Sequence, residues 1–176
     1  MTDWSQIVRE YGPIVWRTAH RLLHHDADAA DCFQRTFVSA LELSRTETVR
    51  HWAGLLGRLA TARALELLRQ RQRDANRLQP LLSDACVSVK TPGPDRAAEA
   101  SELADQLRGA LAELDPRQAQ VFCLACLEGW RYEEIAQQLG LKVNHVGVLL
   151  NRARTTLRER LRSHEPAAAR RQREAQ

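Results

Sequence analysis

Two small clusters in this sequence carry residue types that ligate metals. His20 and His24 stand one helical turn apart, with His25 and Asp26 beside them. That spacing can turn two imidazoles toward one ion. Cys123 and Cys126 form a C-x-x-C, the spacing of a redox pair or of half a zinc site. Neither cluster is completed. No second C-x-x-C or histidine pair follows at zinc spacing, so the two cysteines read as small apolar residues on one helix face. The histidines suit the negative end of a helix dipole. A Gly-rich phosphate loop, a nucleophile elbow and a paired-carboxylate site are all absent. The expectation is therefore no enzyme, no metal and no cofactor.

A third constellation is complete. In "YEEIAQQLGLKVNHVGVLLNRAR", Ala136 is the small residue where two helices cross and Gly140 follows four later, where the chain must take a positive φ. Val146 comes six after that, and Ile135, Leu139 and Leu141 supply packing. This is the spacing of a helix-turn-helix, whose second helix presents its early residues to base edges. The outward positions are Lys142, Asn144, Gly147, Val148 and Asn151, followed by Arg152 and Arg154. The asparagines can bond adenine, Val148 can touch a thymine methyl, and Lys142 and the arginines can hold phosphate. Gly147 and Val148 offer no side-chain hydrogen bond, so such a module gains from being tethered to something already on DNA.

Helices must position these residues, because the apolar period is helical throughout. Asp3 caps a first helix with Gln6 three residues on. Gly12-Pro13 interrupts it, and "HHDADAAD" ends it and starts a second, with Asp26 or Asp28 as cap. Phe33, Phe37 and Leu41 recur at spacing four along the second helix. "SRTETVR" reads as a loop. A third helix spans about Trp52 to Arg73, with an apolar face of Leu55, Leu56, Leu59, Ala60, Ala64, Leu67 and Leu68. The period fades from Asp74 to about Ala98, a linker whose "CVSV" has no partner strand. A fourth helix carries Leu103, Leu107, Leu111 and Leu114; Asp115 and Pro116 then open the next one cleanly. The fold class is all-α: two small helical domains and a flexible linker, the second holding the helix-turn-helix.

Composition narrows the partners. The net charge is +4, and of the 26 basic residues only Lys90 and Lys142 are lysine. Arginine suits phosphate and stacked bases. Aromatic residues are only 5%, too few for a stacking-based RNA module. No stretch approaches the ~20 apolar residues of a membrane span and no secretory pattern opens the chain, so a cytoplasmic protein without membrane insertion is expected.

Three segments in order resemble the bacterial extracytoplasmic-function (ECF) sigma factors. "DADAADCFQRTFVSAL" is similar to the family's "DAEDLVQETFLRAL", and "LLGRLATARALELLRQRQR" to "WLYRIARNLALDLLRRRRR". "LDPRQAQVFCLACLEGWRYEEIAQQLGL" is similar to "LPERQREVFLLRELEGLSYEEIAELLGI". The resemblance covers about residues 4 to 162. It implies a core-polymerase and minus-ten domain over 1–73, a linker over 74–98, a minus-thirty-five domain over 99–162 and a tail over 163–176.

It also implies roles. Asp28, Asp31, Gln34, Thr36 and Phe37 would dock on the β′ clamp of core RNA polymerase. Trp52, Arg58, Ala62, Arg63 and Arg69 would hold the melted minus-ten element. Lys142, Asn144, His145, Val148, Asn151, Arg152 and Arg154 would read the minus-thirty-five element of promoter DNA. The β flap and an anti-sigma factor are further implied partners, and a monomer is expected when free. The sequence departs from the family at Arg35, where Glu is usual, at Ala62, where Asn is frequent, and at Gly147-Val148-Leu149, which replace Lys-Ser-Arg. Two alternatives stay open: a polymerase-independent helix-turn-helix regulator, which would need a dimer, and a sigma-like decoy that binds polymerase without promoter activity.

Overall fold

The computed structural model describes residues 3–78 and 96–163. The "CVSV" segment, Cys86 and the tail beyond 163 lie outside the described residues. Among the described residues the order is α1 (Trp4–Leu23), α2 (Asp26–Thr46), α3 (Trp52–Leu78), α4 (Arg96–Glu113), α5 (Pro116–Phe122), a π-turn over Cys123–Leu127, α6 (Tyr132–Leu139) and α7 (Val143–Ser163), with no strand.

The helix ends follow from capping chemistry. Asp3 accepts the Gln6 N–H at 3.1 Å to start α1. Helix α1 then runs through Gly12-Pro13 without a break. Pro13 is solvent-facing, so the carbonyl it cannot satisfy stays open to water. The helix ends where His24 turns left-handed at φ 49° and returns its N–H to His20. The start of α2 differs from expectation. His25 is the cap, its Nδ1 accepting from the Asp28 N–H at 3.4 Å, while Asp26 and Asp28 fall in the first turn, where the helix dipole favours them. Asp115 accepts from the N–H groups of Arg117 and Gln118 at 3.0 and 3.2 Å, with Pro116 at the first helical position.

Helices α1, α2 and α3 pack on one another. Their shared core holds Ile7, Val15, Ala40, Leu56 and Ala60. Thr36 and Thr61 are fully buried there, and each hydroxyl donates to the carbonyl four residues back, Cys32 at 2.7 Å and Gly57 at 2.9 Å. Val121, Leu124, Ile135, Ala136, Val146 and Leu150 form a second core under the helix-turn-helix. A third cluster spans both halves of the chain: Leu65 and Leu68 of α3 join Leu111 and Leu114 at the end of α4, with Ala119, Cys123 and Leu157. Two boundaries move outward. Helix α2 continues through Ser44-Arg45-Thr46, and α3 continues past Arg73 to Leu78, helped by the Gln72 amide donating to Glu113 of the neighbouring α4 at 2.6 Å.

Candidate nucleic-acid interface

The helix-turn-helix is built as its spacing dictates. The Glu134 carboxylate accepts the Arg131 N–H at 2.8 Å and secures the start of α6. Gly140 ends α6 at φ 64°, and the Leu141 N–H returns to the Ala136 carbonyl at 2.9 Å. Ala136, Ile135 and Val146 are buried at the crossing. Helix α7 therefore leaves with a fixed direction, burying Val146, Leu149, Leu150, Ala153 and Leu157.

Every residue expected to read DNA lies on the open side of this helix. Lys142, Asn144, His145, Val148, Asn151, Arg152 and Arg154 are all exposed. Asn144, Val148, Asn151 and Arg152 follow one another at helical spacing along a single stripe. Arg154 stands apart from it, donating to Cys126 Sγ at 3.5 Å, a contact that raises its already high pKa. Sequence reasoning missed Tyr132. Its ring lies 3.8 Å from where a Cβ on Gly147 would sit. Tyr132 is 39% exposed and Val148 47%, so an aromatic edge flanks the reading stripe. The available signal was its place at the first position of α6, which the tight turn brings beside α7.

The expected docking helix is also open, with one correction. Gln34 is exposed, Asp31 pairs with Arg35 Nε at 2.9 Å, and Asp28 pairs with Arg71 of α3. Phe37 is half-buried against Phe33, ring centroids 4.9 Å apart. Thr36, in contrast, is 0% exposed and its hydroxyl is spent on Cys32. It lies one turn from both Cys32 and Ala40 on the inward face, so it positions the helix and presents nothing to a partner.

The residues expected to hold a melted strand are placed differently. Trp52, Arg58, Ala62, Arg63 and Arg69 are all half-buried. Trp52 stacks edge-on against Trp4, centroids 5.3 Å apart and planes at 80°. Arg63 reaches back to Glu66 at 2.8 Å and to Ser39 of α2 at 3.0 Å. The Arg58 carbonyl accepts from Gln120 of α5 at 3.3 Å. Burial lowers the pKa of the Arg58 guanidinium, which Glu47 partly opposes, and burial lowers that of Arg69 against the pull of Asp115.

The metal-like clusters do not close. His20 Nε2 lies 3.2 Å from Asp26, and no group of three or more ligating residues forms among the described residues. Cys123 and Cys126 do not share a face. Cys123 is buried, with its thiol pKa driven far up by desolvation, and Cys126 is exposed. No described helix is long and apolar enough to cross a membrane.

A three-helix N-terminal unit followed by a helix-turn-helix with an open outer face is the architecture of a DNA-binding protein. Two family models agree with that division: sigma-70 region 2 matches residues 7–74 and sigma-70 region 4 matches residues 104–157. The chain is 31% identical over 169 residues to the ECF RNA polymerase sigma factor SigE of Mycolicibacterium smegmatis, a match over 96% of this chain and 65% of that protein's length. It shares its fold with a solved chain from the complex of sigma factor RpoE with anti-sigma factor NepR from Bartonella quintana. That match has a TM-score of 0.52 and 20% identity, and covers 94% of this chain and 100% of that one. The two matched regions together place the chain in the sigma-70 family, and its similarity to SigE is to an ECF sigma factor.

Proposed function

We propose that this protein binds core RNA polymerase and directs it to promoters, with residues 1–73 engaging polymerase and the minus-ten element and residues 99–162 reading the minus-thirty-five element. The observation that carries this reading is the pairing in one chain of an uncovered, partly acidic helix, α2, with an open helix-turn-helix. Asp31, Gln34 and Phe37 would meet the polymerase clamp. On the reading helix, Asn144 and Asn151 would bond adenine edges and Val148 would contact thymine methyls. Lys142, His145, Arg152 and Arg154 would hold phosphates and position the helix. Arg58, Arg63 and Arg69 would hold the displaced strand once it is unpaired. The solved neighbour's complex with an anti-sigma factor supports an anti-sigma partner here as well.

The weak polar content of the reading stripe fits a tethered reader. A subunit already held on polymerase meets the promoter at high effective concentration, so its reading helix need not supply all the affinity. The same stripe keeps the decoy reading in play, because Val148 occupies a central reading position. Transcription by core polymerase plus this protein from a randomised promoter library separates the two. Transcripts enriched for a two-element promoter support the sigma role; polymerase binding with no enriched promoter supports the decoy.

A further inference from the structure

Opposite charges line one cavity of this molecule and do not meet. The cavity has a volume of about 240 Å³, and its walls come from α1, the start of α3 and α6. Arg17 and His51 line it together with Glu128 and Glu134. Among the described residues, neither carboxylate lies within ion-pair distance of Arg17 or His51. Arg17 and Glu134 are exposed, so water can satisfy them. Glu128 is different. Its side chain is 6% exposed, and its carboxylate has given up most of its water for one long ion pair, 3.5 Å to Arg21.

The local structure gives each charged group a fixed role. His51 Nδ1 accepts the Gly54 N–H at 3.1 Å and caps α3. A neutral imidazole that accepts at Nδ1 carries its proton on Nε2, so His51 brings a donor to the cavity. Ala53 also lines it, which adds the positive end of a 27-residue helix. Glu134 uses one oxygen to accept the Arg131 N–H at 2.8 Å. Gly54 and Gly57 make room for the remaining walls. A Cβ on Gly57 would lie 2.7 Å from the Trp130 ring, and one on Gly54 would lie 2.6 Å from the Gln138 amide. Trp130 is held by its N–H, which bonds the Leu124 carbonyl at 2.9 Å.

We propose that this cavity is a binding site for a small zwitterion of amino-acid size, carrying one carboxylate and one ammonium group. The carboxylate meets Arg17, the His51 Nε2–H and the first turn of α3. The ammonium meets Glu128 and Glu134, with the Trp130 ring beside it as a cation–π face. Volume and charge select this class. Sites for drug-sized ligands run to about 300–1,000 Å³, so the guest here is smaller. An anion alone would face two carboxylates. A cation alone would leave Arg17 and the start of α3 unmatched. The proposal does not depend on the polymerase reading.

The test is isothermal titration calorimetry of the full chain with each common amino acid in turn, up to about 10 mM. For the tightest binder, two truncated forms follow: the amine that lacks the carboxylate, and the N-acetylated acid that lacks the ammonium. Two variants place the site. Arg17→Ala removes the cation. Glu134→Gln removes a charge while its amide can still cap α6. Both residues are exposed, so both variants keep the fold, which circular dichroism checks. At least one amino acid is expected to bind the wild-type chain and raise its Tm by mass action. Each truncated form and each variant is expected to weaken binding about tenfold or more, the loss of one charge-assisted bond. No binding by any amino acid would overturn the proposal. Binding kept by either truncated form would overturn the zwitterion class, and binding unchanged in either variant would overturn this cavity as its place.

Discussion

The two surfaces assigned to promoter DNA are presented in opposite ways. On α7 and at Lys142 just before it, every assigned residue is exposed as far as Arg154; on α3 none is, from Trp52 to Arg69. Both are helices with one face in a core. The difference is what lies on the other face. Helix α7 has the Tyr132 ring at its margin, whereas α3 has Trp130, Gln138 and Gln120 of the other half laid across it. A duplex reader can wait in the open, because duplex DNA has phosphates along its whole length to meet. A site for an unpaired strand has no ligand until melting, and an exposed row of arginines and aromatics would meet other anions first.

The contrast can be broken or sharpened, beginning with thiol reactivity. With Cys86→Ser in the background, Cys126 is expected to react with a thiol reagent at once, and Cys32 and Cys123 about a thousandfold more slowly, at the rate of opening. Cys123 lies in the cluster shared by the two halves and Cys32 bonds the Ala60 carbonyl at 3.6 Å beneath α3. Burial pushes the Cys32 thiol up from 9.0 to about 11. The unfolded chain therefore ionises first, and stability should fall as pH rises from about 9 to about 11. Chemical denaturation of Cys32→Ala across that range should show a smaller fall.

Leu150→Ala removes a side chain buried only within the reading half. It should cost about 2–5 kcal/mol in urea unfolding. It should abolish duplex binding while leaving α2 able to dock. Asn144→Ala and Asn151→Ala should each relax base preference at one promoter position by about 1–3 kcal/mol, seen in library selection, with stability unchanged. Gly140→Ala forces a Cβ into a left-handed turn at φ 64°. It should cost about 1–2 kcal/mol of thermal stability. Arg152→Ala should have the smallest effect, reducing the salt dependence of duplex binding by about one ion without changing preference.

Much of the reading half was legible because its signals are local. Gly140 is demanded by a backbone angle, Asp115-Pro116 by the orphan N–H groups of a helix start, and Val146 by the crossing of adjacent helices. The covered face of α3 was not legible for the opposite reason. Gly54 and Gly57 carry no apolar signal, and Gln138 and Trp130, which lie against them, are far along the chain. The expected apolar face stopped at leucines and alanines and left Gly54, Gly57, Thr61 and Leu65 unassigned, yet all four are buried. Thr36 misled for a related reason: a hydroxyl that bonds its own helix backbone looks polar in the sequence and behaves as core. Cys123 and Cys126 fall in a π-turn, where the Glu128 N–H reaches the Cys123 carbonyl at 3.0 Å. A pattern assuming an ordinary helical turn there placed them together.

The account depends most on α2 as a polymerase-docking surface. The direct measurement is the affinity of the full chain for core RNA polymerase, with and without Asp31→Arg, which replaces the Asp31–Arg35 pair by two like charges on an exposed turn. A tight complex that the substitution weakens about tenfold or more, at least ~1.4 kcal/mol, is the predicted result. A folded wild-type chain that does not bind polymerase, or one whose binding is indifferent to Asp31→Arg, would contradict it.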